Sequence, residues 1–253
     1  MILIKTKKEI DFIRESCKIL AETLQLLKSN VKAGITTLEL DKIAEDYIKS
    51  NDAYPAFKGY SQGGAPDYPG SICSSIDDEV VHGIPGNRVL KNGEIISIDI
   101  GVLKNNYYGD AAVTVPVGEV SVEKMKLLEV TEKSLYLGIE QAVSGNRIHD
   151  ISSAVQTYVE ANGFSVVRDL CGHGVGRYLH EAPSIPNFGK KGTGPKLKNG
   201  MTLAIEPMVD IGTYDVVTAR DKWTILTADG SASAHFEHTV LVNGSTPEIL
   251  TVC

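Results

Sequence analysis

The sequence carries one pattern twice. Lys91-Asn92-Gly93 is followed, six residues after the glycine, by Asp99 and then by Val102, and Lys198-Asn199-Gly200 is followed at the same offsets by Glu206 and Val209. KNGEIISIDIGV and KNGMTLAIEPMV thus align Ile-Asp over Ile-Glu behind a turn and a mostly apolar run. Further along, Asp110 opens DAAVTVPVG and Glu237 opens EHTVLVNG, each a carboxylate followed by a β-rich run that ends at glycine. A duplicated unit delivering two carboxylates per copy gathers four of them across a pseudo-twofold axis. Carboxylates brought together in a core repel one another and lose hydration, a cost that bound cations offset. The pattern points to a metal site at the junction of two similar halves.

The flanking segments repeat as well. Ile10, Ile13, Cys17, Leu20, Leu24 and Leu27 recur at steps of three and four, which predicts an amphipathic helix over 7–30 with Gly34 beyond its end. Thr36-Thr37-Leu38-Glu39 forms a capping box before a second helix carrying Leu40, Ile43, Ala44, Tyr47 and Ile48. A long helix marked by Val122, Met125, Leu128, Leu135, Ile139 and Ala142 follows the first carboxylate run. Asp150 is expected to cap a shorter one with Ile151, Ala154, Val155, Tyr158 and Val159, stopped by Gly163. The halves, about 1–118 and 119–253, therefore each run helix, helix, then strands. No Ser/Pro-rich linker divides them, so the expectation is one domain with internal duplication. The fold class is α+β: a curved, mainly antiparallel sheet with helices on its outer face.

Composition narrows the function. A net charge of −7 and a pI near 5.4 argue against nucleic acid as the main partner. No segment approaches membrane-spanning length, and the apolar stretch within MILIKTKKEIDFIRES is too short for a signal peptide. Cys17, Cys73, Cys171 and Cys253 are scattered without a CxxC pair, and are expected as reduced thiols in the cytoplasm.

Asp99 and Asp110 are eleven apart, with Lys104-Asn105-Asn106 between them as a turn, so a hairpin brings both to one point. Glu206 and Glu237 take the corresponding places in the second half. A neutral donor comes from Cys171-Gly172-His173-Gly174-Val175-Gly176, whose glycines permit close approach around His173. Asp99, Asp110, His173, Glu206 and Glu237 make an oxygen-rich set that suits two hard or borderline divalent ions: Mn, Fe(II), Co or Zn. His82 in VVHGIP and His180 in YLHEAP each precede a KNG turn, and as a pair near these donors they point to substrate contact. His149, His235 and His238 carry no such support: His149 falls at a helix start and the other two flank a strand residue. GKKGTGPK lacks the Lys-Ser/Thr of a phosphate loop, CGHGVG lacks dinucleotide spacing, and no GxS stretch has a hydrolase-elbow setting.

SIDIG, GDAAVT, CGHGVGRYLHEAP, AIEPMV and HFEHTVLV, together with CSSIDDEVVHGIP, resemble the type I methionine aminopeptidases over nearly the whole chain and in family order. The resemblance implies the pita-bread fold, whose similar halves agree with the duplication. It implies that Asp99 chelates one metal, that Asp110 and Glu237 bridge both, and that His173 and Glu206 complete the other. Only 33 residues separate His173 from Glu206, which leaves no room for the helical insertion of type II relatives. The absence of a zinc-finger extension or a large N-terminal domain matches the compact bacterial or organelle form.

The activity so implied is removal of N-terminal methionine from nascent chains at the ribosome, before a small second residue, by a cytoplasmic monomer. Glu206 is expected to shuttle the proton, His180 to stabilise the oxyanion and His82 to contact the leaving peptide. Tyr60, Tyr68, Cys73 and Trp223 are expected to wall an apolar methionine pocket. Several positions depart from the family pattern. Phe57 and Leu179 stand where a Cys and a Phe are frequent, and Gly101 replaces a frequent hydroxyl residue. The loop Ser61–Asp67 looks lengthened, and Asp77-Asp78 replace the frequent Asn-Glu beside an implied monovalent cation. Two other readings of the same scaffold are a dinuclear peptidase cleaving Xaa-Pro bonds and a non-catalytic peptide-binding relative.

Overall fold

Thr6 and Thr36 start the first two helices, α1 (Lys7–Asn30) and α2 (Thr37–Ser50). Each threonine hydroxyl accepts from the N–H of a glutamate three residues on, Glu9 or Glu39, whose carboxylate accepts from the threonine N–H in return. In the second half Ser121 caps α3 (Val122–Ile139), its hydroxyl accepting from Lys124 N. The last helix, α4, spans Ile148–Ala161 and corrects one expectation: Asp150 is not its cap. Asp150 lies within the first turn and reaches back to accept from Arg147 N at 2.7 Å, the return half of a capping box, while the Arg147 side chain, a donor only, makes no cap hydrogen bond. The computed structural model describes residues 1–61 and 64–252. Gln62 and Gly63 of the expected loop extension, and the Cys253 thiol, lie outside the described residues.

Each helix pair packs on strands of its own half. Leu20, Leu24 and Leu27 of α1 and Leu40, Ala44 and Ile48 of α2 close over Ile96, Ile98, Ile100 and Val102. Leu127, Leu135 and Ile139 of α3 and Ile151, Val155 and Val159 of α4 close over Leu203, Ile205, Val209 and Val240. Of the buried members of this second core, only Ile95 comes from the first half. The duplication seen in the sequence is thus a duplication of cores. No helix of the described residues is long and apolar enough to cross a membrane.

In the first half, Ile95–Lys104 and Tyr107–Pro116 form an antiparallel hairpin. Asn105 (φ 52°) and Asn106 (φ 65°) are both left-handed, as the two central residues of a type I′ turn must be. The register sets Asp99 opposite Ala112 and Asp110 opposite Gly101. Both acids therefore share a face as diagonal neighbours, each facing a residue small enough to leave its carboxylate room.

In the second half, Thr202–Ile205 lies between Cys171–Gly174 and His238–Leu241, again antiparallel. The apolar run Met201–Val209 forms two strands, not one. Pro207 has no N–H to give a ladder, and beyond it Met208–Asp210 pairs with Ser233–His235 and Ser165–Val166 instead. Glu206 sits at that break.

The halves join along 110–114 and 235–239. Ala112 and Glu237 exchange backbone hydrogen bonds at 3.4 and 2.9 Å. Thr239 Oγ1 accepts from Asp110 N (3.0 Å) and donates to Asp110 O (2.7 Å), and Thr114 Oγ1 does the same for His235 N and O (2.9 and 2.8 Å). Exchanging Asp110 with Glu237 and Ala112 with Thr239 converts one of these pairs into the other, as a local twofold axis requires. Thr239→Val keeps the shape but strips the buried Asp110 backbone of both partners. The expected loss is about 1–3 kcal/mol for each unmet group, read as a lower urea midpoint, whereas Thr246→Val at an exposed turn leaves the midpoint in place.

Candidate metal centre and adjoining pocket

Four segments converge on one cleft of about 530 Å³. The first-half hairpin supplies Asp99 and Asp110, the strand Cys171–Gly174 supplies His173, the Pro207 break supplies Glu206, and the seam supplies Glu237. His82, His180, Tyr60, Tyr68, Cys73 and Trp223 line the same cleft, so the expected metal ligands and substrate-contacting residues meet here. His173 Nε2 lies 3.8 Å from Asp110 Oδ2 and 3.5 Å from Glu206 Oε1. Donor atoms of Asp110, His173 and Glu237 all fall within 4.8 Å of one another.

His173 is oriented by its own strand. Its Nδ1 lies 3.0 Å from Gly174 O, and because a carbonyl only accepts, Nδ1 must carry the proton. Nε2 is left with its lone pair toward the acids, the tautomer a metal ligand needs. The flanking glycines, expected to let backbone and metal approach closely, admit the backbone of neighbouring strands. A Cβ on Gly172 would meet Ala204 O at 2.4 Å, and one on Gly174 would meet Ala182 O at 2.5 Å. Burial and the nearby His180 hold the His173 pKa down at about 3, so the ring is neutral at physiological pH.

Burial dominates the acids too. It pushes the Asp99 carboxyl up to about 7 and that of Glu206 up to about 8. Asp110 and Glu237 are driven well above the ordinary range, first by burial and then by the neighbouring carboxylates. Asp99 Oδ1, Asp110 Oδ1 and Glu237 Oε1 have no hydrogen-bond partner. Among the described residues, imidazoles are the only basic groups within 4.0 Å of these acids; no Lys or Arg reaches them. Orphaned, mutually repelling oxygens beside a neutral imidazole fit divalent cations and fit little else.

One member of the cluster was missed in the sequence. His235, set aside above, is 1% exposed with Nε2 3.5 Å from Glu206 Oε2, and Glu206, His235 and Glu237 form a second group of donors within 4.8 Å. The available signal was its spacing: His235 and Glu237 are two apart, and in extended chain such residues share a face.

Beside the acids, Phe57, Tyr68, Cys73, Leu179 and Trp223 form a small buried apolar cluster. Trp223 Nε1 donates to Pro66 O at 2.8 Å, and its ring stands edge-on to Tyr68. Tyr60 completes the rim, its hydroxyl 2.8 Å from His180 Nδ1. His82 holds φ at 61°, a costly conformation for a residue with a Cβ, and its ring stands edge-on to Trp223. Gly101 carries no side chain because Phe57 occupies the space: a Cβ there would meet Phe57 Cε1 at 2.8 Å. The Asp77 carboxylate, next to the implied monovalent-cation position, accepts from Lys124 Nζ (2.6 Å) and Ile95 N (3.0 Å).

The model of metallopeptidase family M24 matches residues 11–244. The methionine aminopeptidase of Clostridium acetobutylicum is 53% identical over the full length of both chains. The crystal structure of methionine aminopeptidase from Thermotoga maritima covers all of both chains with a TM-score of 0.97 at 44% identity. The Xaa-Pro dipeptidase of Bacillus anthracis shares the fold alone, at a TM-score of 0.77 and 19% identity, with 98% of this chain lying on 62% of that one. A buried acid–imidazole cluster at the join of duplicated halves, a family model spanning most of the sequence and full-length relatives of this identity agree, and the chain belongs to metallopeptidase family M24, among the type I methionine aminopeptidases.

Proposed function

We propose that residues 1–253 form one catalytic domain that removes the N-terminal methionine of nascent polypeptides, before a small second residue, with two divalent ions held by Asp99, Asp110, His173, Glu206 and Glu237. The observation that carries this reading is an apolar pocket of Phe57, Tyr68, Cys73, Leu179 and Trp223 abutting buried acids that no Lys or Arg neutralises. Bound there, Mn, Fe(II), Co or Zn supplies Lewis acidity toward the scissile carbonyl and brings the pKa of water toward about 7. Glu237 belongs to both donor groups, which supports its sharing between two ions. Asp110, which the local twofold exchanges with Glu237, would take the matching role.

The remaining groups act on the peptide. The pocket takes the methionine side chain, whose unbranched, polarisable thioether suits aromatic and sulfur-bearing walls. The substrate α-amine lies toward Asp99. Glu206, at the strand break, accepts a proton from the attacking water and returns it to the departing amine. The Tyr60 hydroxyl lies 2.8 Å from His180 Nδ1; with Tyr60 as the donor of that bond, the neutral imidazole would carry its proton on Nε2 and donate it to the developing oxyanion. His82, kept neutral by burial with its pKa lowered to about 4, contacts the leaving peptide. A monomer working in the cytoplasm near the ribosome fits this role.

Metal-loaded protein is expected to cleave Met-Ala-Ser and to leave Ala-Pro peptides intact; the reverse selectivity would give the site to Xaa-Pro chemistry. Glu206→Gln should lower kcat on Met-Ala-Ser by about 10²–10⁴-fold with an unchanged circular dichroism spectrum, and near-normal turnover would remove Glu206 from the proton path. A second expectation concerns metal-free protein. The folded state keeps protons on Asp99 up to about 7 and on Glu206 up to about 8, while unfolded carboxyls release theirs near pH 4. Between those limits the folded state binds more protons, so this cluster's contribution is favourable at low pH and is lost as pH rises. The melting temperature of chelator-treated protein, corrected with an Asp99→Asn/Glu206→Gln variant, should fall from pH 4 to 8 and recover on adding Mn(II).

A further inference from the structure

His235 has no role in the reaction as described, yet it lies at the centre of the acid cluster. Neither of its ring nitrogens has a hydrogen-bond partner, although the residue is 1% exposed. Its backbone is pinned at both ends of the peptide unit by Thr114 Oγ1, which fixes where the ring can lie. His235 Nε2 is 3.5 Å from Glu206 Oε2, and His173 Nε2 is the same 3.5 Å from Glu206 Oε1. The Glu206 carboxylate is therefore flanked by an imidazole on each oxygen. Two donors bound to one ion at about 2.0–2.2 Å stand roughly 3–4 Å apart, whereas an N–H···O hydrogen bond at ordinary length is nearer 2.9–3.0 Å. The observed spacing matches co-ligands better than a hydrogen-bonded pair, and the donor atoms of Glu206, His235 and Glu237 all lie within 4.8 Å of one another.

We propose that His235 Nε2 is a further ligand of the metal centre, so that each donor group brings one imidazole, His173 with Asp110 and Glu237 and His235 with Glu206 and Glu237, and the centre as a whole has two instead of one. The inference rests on the reading of the acid cluster as a metal site and adds to it a consequence for metal choice. A second nitrogen donor favours borderline ions such as Co(II), Fe(II) or Zn(II) over Mn(II), which is served well by oxygen alone.

The test uses the full chain, stripped of metal and titrated with Co(II) or Mn(II) alone. X-ray absorption on the Co(II)-loaded wild type is expected to show the multiple scattering of two imidazoles per cluster, and His235→Gln that of one. Calorimetry should show Co(II) affinity in His235→Gln lower by about 10–100-fold or more, with a smaller loss for Mn(II). A wild type that binds Co(II) with a single imidazole would overturn the assignment of His235 and leave the centre standing. A wild type that binds neither ion would overturn the metal reading itself. Both of these outcomes are read on the unaltered protein, so they hold even if His235→Gln fails to fold.

Discussion

Asp99, Asp110 and Glu237 are buried and Glu206 nearly so, in one place with two imidazoles, His173 and His235, beside them and, among the described residues, no ammonium or guanidinium in reach. Left to themselves they hold protons that exposed carboxyls would have shed, and three of their oxygens have nothing to bond. A core does not accumulate such groups for its own stability, since apolar side chains of similar volume would serve it better. The surrounding architecture is arranged to hold this unfavourable cluster together. Each helix pair secures its own half, and the two halves press their acidic edges against each other along the seam.

The seam converts duplication into geometry. Ala112 with Glu237, and Asp110 with Thr239, are paired so that one acid from each half lies beside the local axis. The second acid of each half arrives differently. Asp99 is a diagonal neighbour on the hairpin, while Glu206 stands where proline stops a strand. Pseudo-symmetry thus fixes which elements face the site, and local irregularity sets which donor each contributes. The imidazoles break the symmetry further: His173 and His235 both come from the second half, on either side of Glu206.

Much of this was legible because it depends on local chemistry. Thr36 heads its capping box, the Asn105-Asn106 turn has the residues a left-handed pair requires, and the KNG repeats mark equivalent points in each half. What escaped depended on partners distant in sequence. Asp150 looks like a cap until Arg147 N is seen to need an acceptor. Gly172 and Gly174 look like features of a metal loop until Ala204 O and Ala182 O are found where side chains would be. His235 is silent as a lone histidine and becomes informative only when Glu206, 29 residues earlier, is placed beside it.

The departures from the family pattern around the pocket are likewise related in space. Residue by residue, Phe57 for a smaller Cys, Leu179 for a larger Phe, and Gly101 for a hydroxyl residue are three separate changes. In the structure Phe57 and Leu179 belong to one cluster, and Phe57 fills the space above the bare Gly101 backbone. A side chain at 101 would meet that ring at 2.8 Å and Ala56 Cβ at 2.9 Å, so the close packing of residues 56 and 57 calls for glycine there. Against the pattern the resemblance implies, the bulk added at Phe57 exceeds the bulk removed at Leu179, and the bare Gly101 backbone leaves room for the excess.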